Sequence, residues 1–322
     1  MSNVLSFIML IIGFFFLIKG ADVFVEGAAS IARKFNVPAM VIGLTIVAMG
    51  TSAPEAAVSI TSSLAGQNDM SVANVVGSNF FNILMVLGVS SVITRLPVEK
   101  NTIKKDAPFL ILVSCMLLLF ASNLEMSRIE GLLLLAVFVY FLVNTVRSSK
   151  NTSNDIGTSE GETAIAAEAS IAEEISVPKT VIVSLIGMIG IVIGGDMVVN
   201  SATTIATSFG MSANLVGLTI VAIGTSLPEF VTSIVAIKKG ETEIAIGNVI
   251  GSNLFNILLV LGLATTINPI TISALALIDI AFMVFVTVLL YLFMKKNNSL
   301  VKNQGFILIA IYFMYMTYTI MR

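Results

Sequence analysis

The chain has 322 residues, 57% of them hydrophobic and only 11% charged, with a mean hydropathy of +1.01. A soluble domain carries about 25% charged residues, so a water-soluble globule is excluded; with a net charge of −2 and no basic cluster, no nucleic-acid partner is expected. Histidine is absent and Cys115 is the one cysteine. That removes the commonest proton shuttle and the ligands Zn, Cu and Fe call for, excludes an internal disulfide, and predicts a buried inert thiol.

Apolar runs of about 20 residues, the length that crosses hydrocarbon, recur from end to end. They predict ten helical spans near 4–32, 38–64, 71–93, 106–122, 127–147, 179–208, 212–237, 244–267, 274–294 and 304–321. Barrel strands would be shorter and would alternate, so the expected class is an all-α polytopic membrane protein in a lipid bilayer. The opening run has no basic leader and no small-residue cleavage site, and is expected to be a retained first span. Spans two, three, seven and eight are rich in Gly, Ser, Thr and Asn, which suits a packed interior; spans four, five, nine and ten are plainer, which suits lipid. Between spans five and six, Ser148–Pro178 carries Asp155, Glu160, Glu162, Glu168, Glu173 and Glu174 against Lys150, the composition of a tether. The chain therefore divides into 1–147, an acidic linker 148–178, and 179–322.

Lys and Arg set the orientation. With the first residue outside, the inside loops hold fourteen basic residues, among them Arg33, Arg95, Lys105, Lys239 and Lys295, and the outside holds only Arg128 and Arg322. Both termini are thus expected to be extracytoplasmic and the linker cytoplasmic.

Gly43–Gly88 aligns without a gap on Gly217–Gly262, 174 residues later, with 26 of 46 positions identical. Such self-similarity marks a duplication. Its unit is five spans, an odd number, so the second copy enters the membrane from the opposite side. Folds of this inverted kind place substrate at the repeat interface, on broken helices near the midplane.

Gly50–Glu55 reads GTSAPE and Gly224–Glu229 reads GTSLPE. Pro54 and Pro228 have no N–H, which breaks each helix and is expected to free carbonyls near Ala48–Thr51 and Ala222–Thr225. A proline kink satisfied by a neighbouring hydroxyl would explain the prolines, but not the acid that follows each. Glu55 and Glu229 are costly at bilayer depth and are a functional site by default. Ser52 shares a helix face with Glu55. In the next span Asn74, Ser78 and Asn82 form one stripe, repeated by Asn248, Ser252 and Asn256. Every available ligand is oxygen, so hard cations are expected, Ca2+ and Na+ before Mg2+. Asp22 and Asp196 are twinned and could line an access path, but are expected rather to cap or anchor the repeats; Glu26, whose twin is Asn200, is left outside the site, and Asn79 and Asn253 are assigned to packing.

At these residues the chain resembles the sodium/calcium exchanger family of cation/calcium antiporters, in its compact prokaryotic form. The paired GTS-x-PE and GN-x-x-GSN-x-x-N segments match the family's two α-repeats, although the first copy has Ala73 where that pattern has glycine. The resemblance implies ten helices in two inverted fives, with helices 2, 3, 7 and 8 discontinuous around a central cation site. It implies cation ligation by Glu55, Glu229, Thr51, Ser52, Ser78, Asn82, Thr225, Ser226, Ser252 and Asn256, with backbone carbonyls from Ala48 and Ala222. It further implies electrogenic exchange of Na+ for Ca2+ across the cell membrane, a sliding of spans one and six, and function as a monomer without a cofactor. Some relatives carry Asp where this chain has Asn256, including potassium-dependent ones, so no potassium requirement is expected. The nearest alternative is a Ca2+/H+ or K+-dependent antiporter. A cation channel could use acid rings, but proline-broken inverted repeats favour alternating access. A membrane-embedded acid/base enzyme is further off too, because acid and base need unequal environments and these two settings are nearly identical.

Overall fold

The computed structural model describes residues 3–155, 176–211 and 222–321. It is all-α: α1 Asn3–Lys34, α2 Ala39–Thr51, α3 Ala53–Leu64, α4 Met70–Ile93, α5 Ala107–Ala121, α6 Arg128–Asp155, α7 Val177–Ser208, α8 Ala222–Gly224, α9 Leu227–Lys238, α10 Thr242–Ile267, α11 Ala274–Asn297 and α12 Lys302–Met321. Seven of these are long and apolar enough to cross a membrane, and α2 with α3 makes an eighth span bent by 50°. Of the two other expected spans, α5 has 15 residues behind a π-helical turn at Thr102–Asp106. The seventh span's first half, 212–221, lies outside the described residues, as does 156–175 of the acidic linker.

The division between interior and lipid-facing helices follows composition. In α10, 94% of the most apolar window is buried, and in α4 72%, against 22% in α6 and α12. Small residues let the interior helices close up. Gly43 and Gly247 meet where α2 crosses α10; a Cβ on Gly247 would lie 2.7 Å from the Met40 carbonyl oxygen, so backbone touches backbone. The long helices α1 and α7 cross in the same way, a Cβ on Gly20 coming 2.6 Å from the Gly187 carbonyl oxygen. Cys115 is the exception to expectation. It is exposed on α5, a helix apolar on most faces, so its apolar setting is an outward face and not a core.

The inversion is visible in two backbone ladders. Leu96–Pro97 (β1) pairs antiparallel with Ser299–Leu300 (β4), and Glu125–Met126 (β2) with Ile270–Thr271 (β3). β1 and β3 are 174 residues apart in sequence, as are β2 and β4, so one ladder is the repeat-related copy of the other. Each staples a loop of the first half to a loop of the second.

Several basic loops meet at one end of the bundle. A cavity of about 670 Å3 brings together Asn36, Lys100, Lys105, Thr145 and Glu243. At the α9–α10 turn Arg33 pairs with Glu241 at 3.0 Å, while Lys239 holds Asp22 at 2.9 Å and Glu26 at 3.0 Å. The Asp22 hydrogen bond holds the Lys239 ammonium above the usual lysine range. Asp22 is thus an anchor, as expected, and Glu26 joins it. Asp196, its twin, is exposed on α7.

Candidate cation site

Proline sets the local geometry. Ser52 (φ −83°, ψ 9°) and Ser226 (φ −92°, ψ 5°) both lie in the sparsely populated bridge region between helical and extended backbone, where one half-helix stops and the next begins. Pro54 and Pro228 then fall in the first turn of α3 and α9, where a missing N–H costs nothing. Glu55 and Glu229 follow in that same turn, at the positive end of a helix dipole that favours a carboxylate. Both side chains are 0% exposed.

The two repeats then hold each other's acid. Ser52 Oγ donates to Glu229 Oε1 at 3.0 Å and Ser226 Oγ to Glu55 Oε1 at 3.1 Å. Within each repeat Ser78 reaches Glu55 Oε1 and Ser252 reaches Glu229 Oε1, each at 3.5 Å. Thr51 donates across to Asn248 Oδ1 at 3.0 Å and Thr225 to Asn74 Oδ1 at 3.5 Å. Nearly every bond has a repeat-related copy, so the centre carries the same pseudo-twofold as the ladders.

Asn74 and Asn248, noted in sequence only for their stripe, brace the acids. Asn74 Nδ2 bonds the Glu55 carbonyl (3.2 Å) and Ser59 Oγ (2.9 Å); Asn248 Nδ2 bonds the Glu229 carbonyl (3.4 Å) and Ser233 Oγ (3.0 Å). Ser59 and Ser233 were legible as identical residues four positions after each acid. Asn82 and Asn256 lie at the π-helical turns Phe81–Val86 and Asn256–Leu261, the kind of widened turn that recurs at functional sites. The interruption of α4 and α10 is therefore a change of hydrogen-bond register within a continuous helix, whereas α2–α3 and α8–α9 are bent or broken.

Two expectations need correction. The break does not free the Ala48 carbonyl, because Ser52 N–H bonds it at 3.0 Å; what Pro54 removes is the N–H that would have paired with Gly50. Thr51 Oγ1 also lies 3.3 Å from that oxygen, so ligation by Ala48 rests on its second lone pair with the Thr51 hydroxyl turned to Asn248 Oδ1. In the other repeat Ser226 N–H bonds the Ile223 carbonyl at 3.1 Å. Asn79 and Asn253, assigned to packing, bond directly to Asn256 and Asn82 at 3.2 and 3.1 Å.

The donor set fits a hard cation. Glu55 Oε2, Glu229 Oε2, Asn82 Oδ1 and Asn256 Oδ1 are buried oxygens with no protein partner, and a buried acceptor left unmatched costs about 1–3 kcal/mol, more when charged. Four such oxygens from residues 0% exposed are what an oxygen-liganded ion would satisfy.

Two inverted halves, each delivering one buried carboxylate and matching amide and hydroxyl oxygens to a shared centre, define an inverted-repeat cation transporter. The sodium/calcium exchanger protein family matches this chain over residues 5–147 and 179–321. CaxA of Alkalimonas amylolytica is 44% identical over 84% of this chain and 83% of its own. Sodium/calcium exchanger MaX1 of Methanosarcina acetivorans is 30% identical over 95% of this chain and 96% of its own. A solved structure of the sodium-calcium exchanger NCX_Mj, soaked with Na+ and Sr2+, superimposes with a TM-score of 0.84 at 31% identity, covering 98% of this chain and 99% of that one. The chain belongs to the sodium/calcium exchanger family and is a multi-pass membrane antiporter of exchanger type.

Proposed function

We propose that this chain exchanges Na+ for Ca2+ across the cell membrane by alternating access, with net movement of charge. The observation that carries the reading is the crossed pair, Glu55 held by Ser226 and Glu229 by Ser52, each acid keeping one unpartnered oxygen. An empty site would bury two negative charges at a cost of several kcal/mol per ion. One Ca2+ cancels them, and so do two Na+; a third Na+ leaves one positive charge to cross, worth about 2.3 kcal/mol per 100 mV. Ion occupancy thus licenses the change of access, and an empty carrier stays on its own side.

The ligands in this reading are Glu55, Glu229, Thr51, Ser52, Ser78, Asn82, Thr225, Ser226, Ser252 and Asn256, with carbonyls of Ala48 and Ala222. Both halves of the site come from one chain, so a monomer suffices, and no cofactor is needed beyond the transported ions. With an amide at Asn256, a K+ requirement is not part of the proposal. The fourteen-to-two charge bias places the linker and the basic loops inside and both termini outside. The convergence of Asn36, Lys100, Lys105 and Thr145 on one cavity supports it.

The test is uptake of radiolabelled Ca2+ into proteoliposomes under outward gradients of Na+, K+ or protons, supplied in turn at clamped voltage. Uptake should follow Na+ and rise with an inside-positive potential as the third Na+ leaves. Uptake driven equally well by a proton or K+ gradient without Na+ overturns the Na+ assignment.

A further inference from the structure

We infer that Asn79 and Asn253 are positioning residues for the cation site, fixing Asn256 and Asn82 so that the carboxamide oxygen, and not the NH2, faces the ion. The inference rests on the cation-site reading above and adds what decides the sign of the field at two of its ligands.

A carboxamide has two ends of nearly equal shape and opposite polarity. Turned one way Asn256 offers a cation an oxygen; turned the other way it offers hydrogens and repels it. Asn79 Nδ2 points at the backbone carbonyl of Asn253 (3.4 Å) and at Met283 Sδ (3.5 Å). Both partners only accept, so this end of Asn79 must be its NH2. Its Oδ1 is thereby turned to Asn256, which must answer with its own NH2, at 3.2 Å. Asn256 Oδ1 is left on the far side without a protein partner. The polarity of the ligand is inherited through two amides from one backbone carbonyl.

The repeat-related chain runs Asn82 Nδ2 to Asn253 Oδ1 at 3.1 Å, leaving Asn82 Oδ1 unpartnered. All four asparagines are at most 1% exposed, so water does not compete. The copies are unequal: Asn253 Nδ2 has no partner, so nothing blocks a concerted flip of Asn253 with Asn82. Asn256 is therefore the firmly set ligand and Asn82 the softer one.

The experiment measures Ca2+ affinity of purified protein by equilibrium binding of radiolabelled Ca2+, Na+ affinity by competition, and thermal unfolding in detergent. Asn79→Ala should weaken Ca2+ binding about tenfold, the size of one polar contact reversed. Asn79→Leu, which restores volume without an acceptor, should weaken it as much. In an Asn256→Asp background both ends of the ligand are oxygens and orientation no longer matters, so adding Asn79→Ala should change affinity less than about twofold. An equal loss in both backgrounds, or recovery in Asn79→Leu, overturns the inference in favour of packing. Wild-type protein that binds neither ion overturns the site reading and the inference together; binding without exchange overturns the exchange reading alone.

Discussion

Ser52 of the first repeat donates its hydroxyl to Glu229 of the second at 3.0 Å, and its twin Ser226 returns the bond to Glu55 at 3.1 Å. The shortest side-chain bond to each carboxylate therefore comes from the half of the molecule that does not carry it. For Ser52 and Ser226, coupling should therefore run to the acid of the opposite repeat and not to that of their own. In a double-mutant cycle on Ca2+ affinity, Ser52→Ala should couple to Glu229→Gln by about 1–2 kcal/mol and to Glu55→Gln by less than about 0.5 kcal/mol. The reverse ranking would mean that the serines act on their own helices.

Removing one charge changes the counting. Glu55→Gln or Glu229→Gln leaves a single carboxylate among neutral oxygens, which one Na+ cancels and Ca2+ overcharges. Either variant should lose Na+-driven Ca2+ uptake by about 100-fold or more, the scale of an uncompensated buried charge. Radiolabelled uptake in proteoliposomes reads this directly, and full uptake in both variants would end the proposal.

The ion pairs at the α9–α10 turn tie α1 to the rest of the bundle through Arg33, Asp22 and Glu26. Among the described residues no such set recurs on the twin turn, where Ala65 and Gln67 stand in place of Lys239 and Glu241. Exposed pairs are worth about 0–1 kcal/mol each, enough to bias an equilibrium between two access states. Lys239→Gln with Glu241→Gln should raise amide hydrogen exchange in the α1–α2 connection by about three- to tenfold. Lys239 is held above its usual range by Asp22, so it keeps its proton throughout neutral pH. Substitution is the lever here, and unchanged exchange would show that the pairs are idle.

Two glycines at the α1–α7 crossing give an internal control. A Cβ on Gly20 would sit 2.6 Å from a backbone oxygen, whereas one on Gly190 would meet nothing closer than 3.4 Å. Gly20→Ala should destabilise by about 1–3 kcal/mol. Gly190→Ala should be neutral or gain a few tenths of a kcal/mol, alanine being the better helix former. Thermal unfolding in detergent separates them.

The acids, the breaks and the inversion were legible because each is local: a proline two residues after a serine, an acid after the proline, and a copy at fixed offset. The polar stripe was legible too, since four-residue spacing keeps one helix face. What sequence hid were contacts between distant residues. Asn79 lies about a quarter-turn off the stripe of its own helix, a packing position by periodicity, and only the meeting of α4 with α10 across the pseudo-twofold gives it Asn256. Glu26 was passed over because its twin is Asn200, yet its partner is Lys239, 213 residues away. The Ala48 carbonyl was misread because a proline frees the residue four before it, and the neighbouring turn closes on its own.

The two short ladders, β1 with β4 and β2 with β3, rivet opposite rims of the bundle, the first joining the α4–α5 loop to the α11–α12 loop and the second the α5–α6 loop to the α10–α11 loop; α1, α2–α3, α7 and α8–α9 carry no strand of either. They make a hoop of the helices they join. A hoop clamped at both rims resists shear, so a covalent cross-link replacing either rivet should leave turnover intact, whereas, if α1 and α7 slide as the family resemblance implies, one fastening α1 to the hoop should stop it.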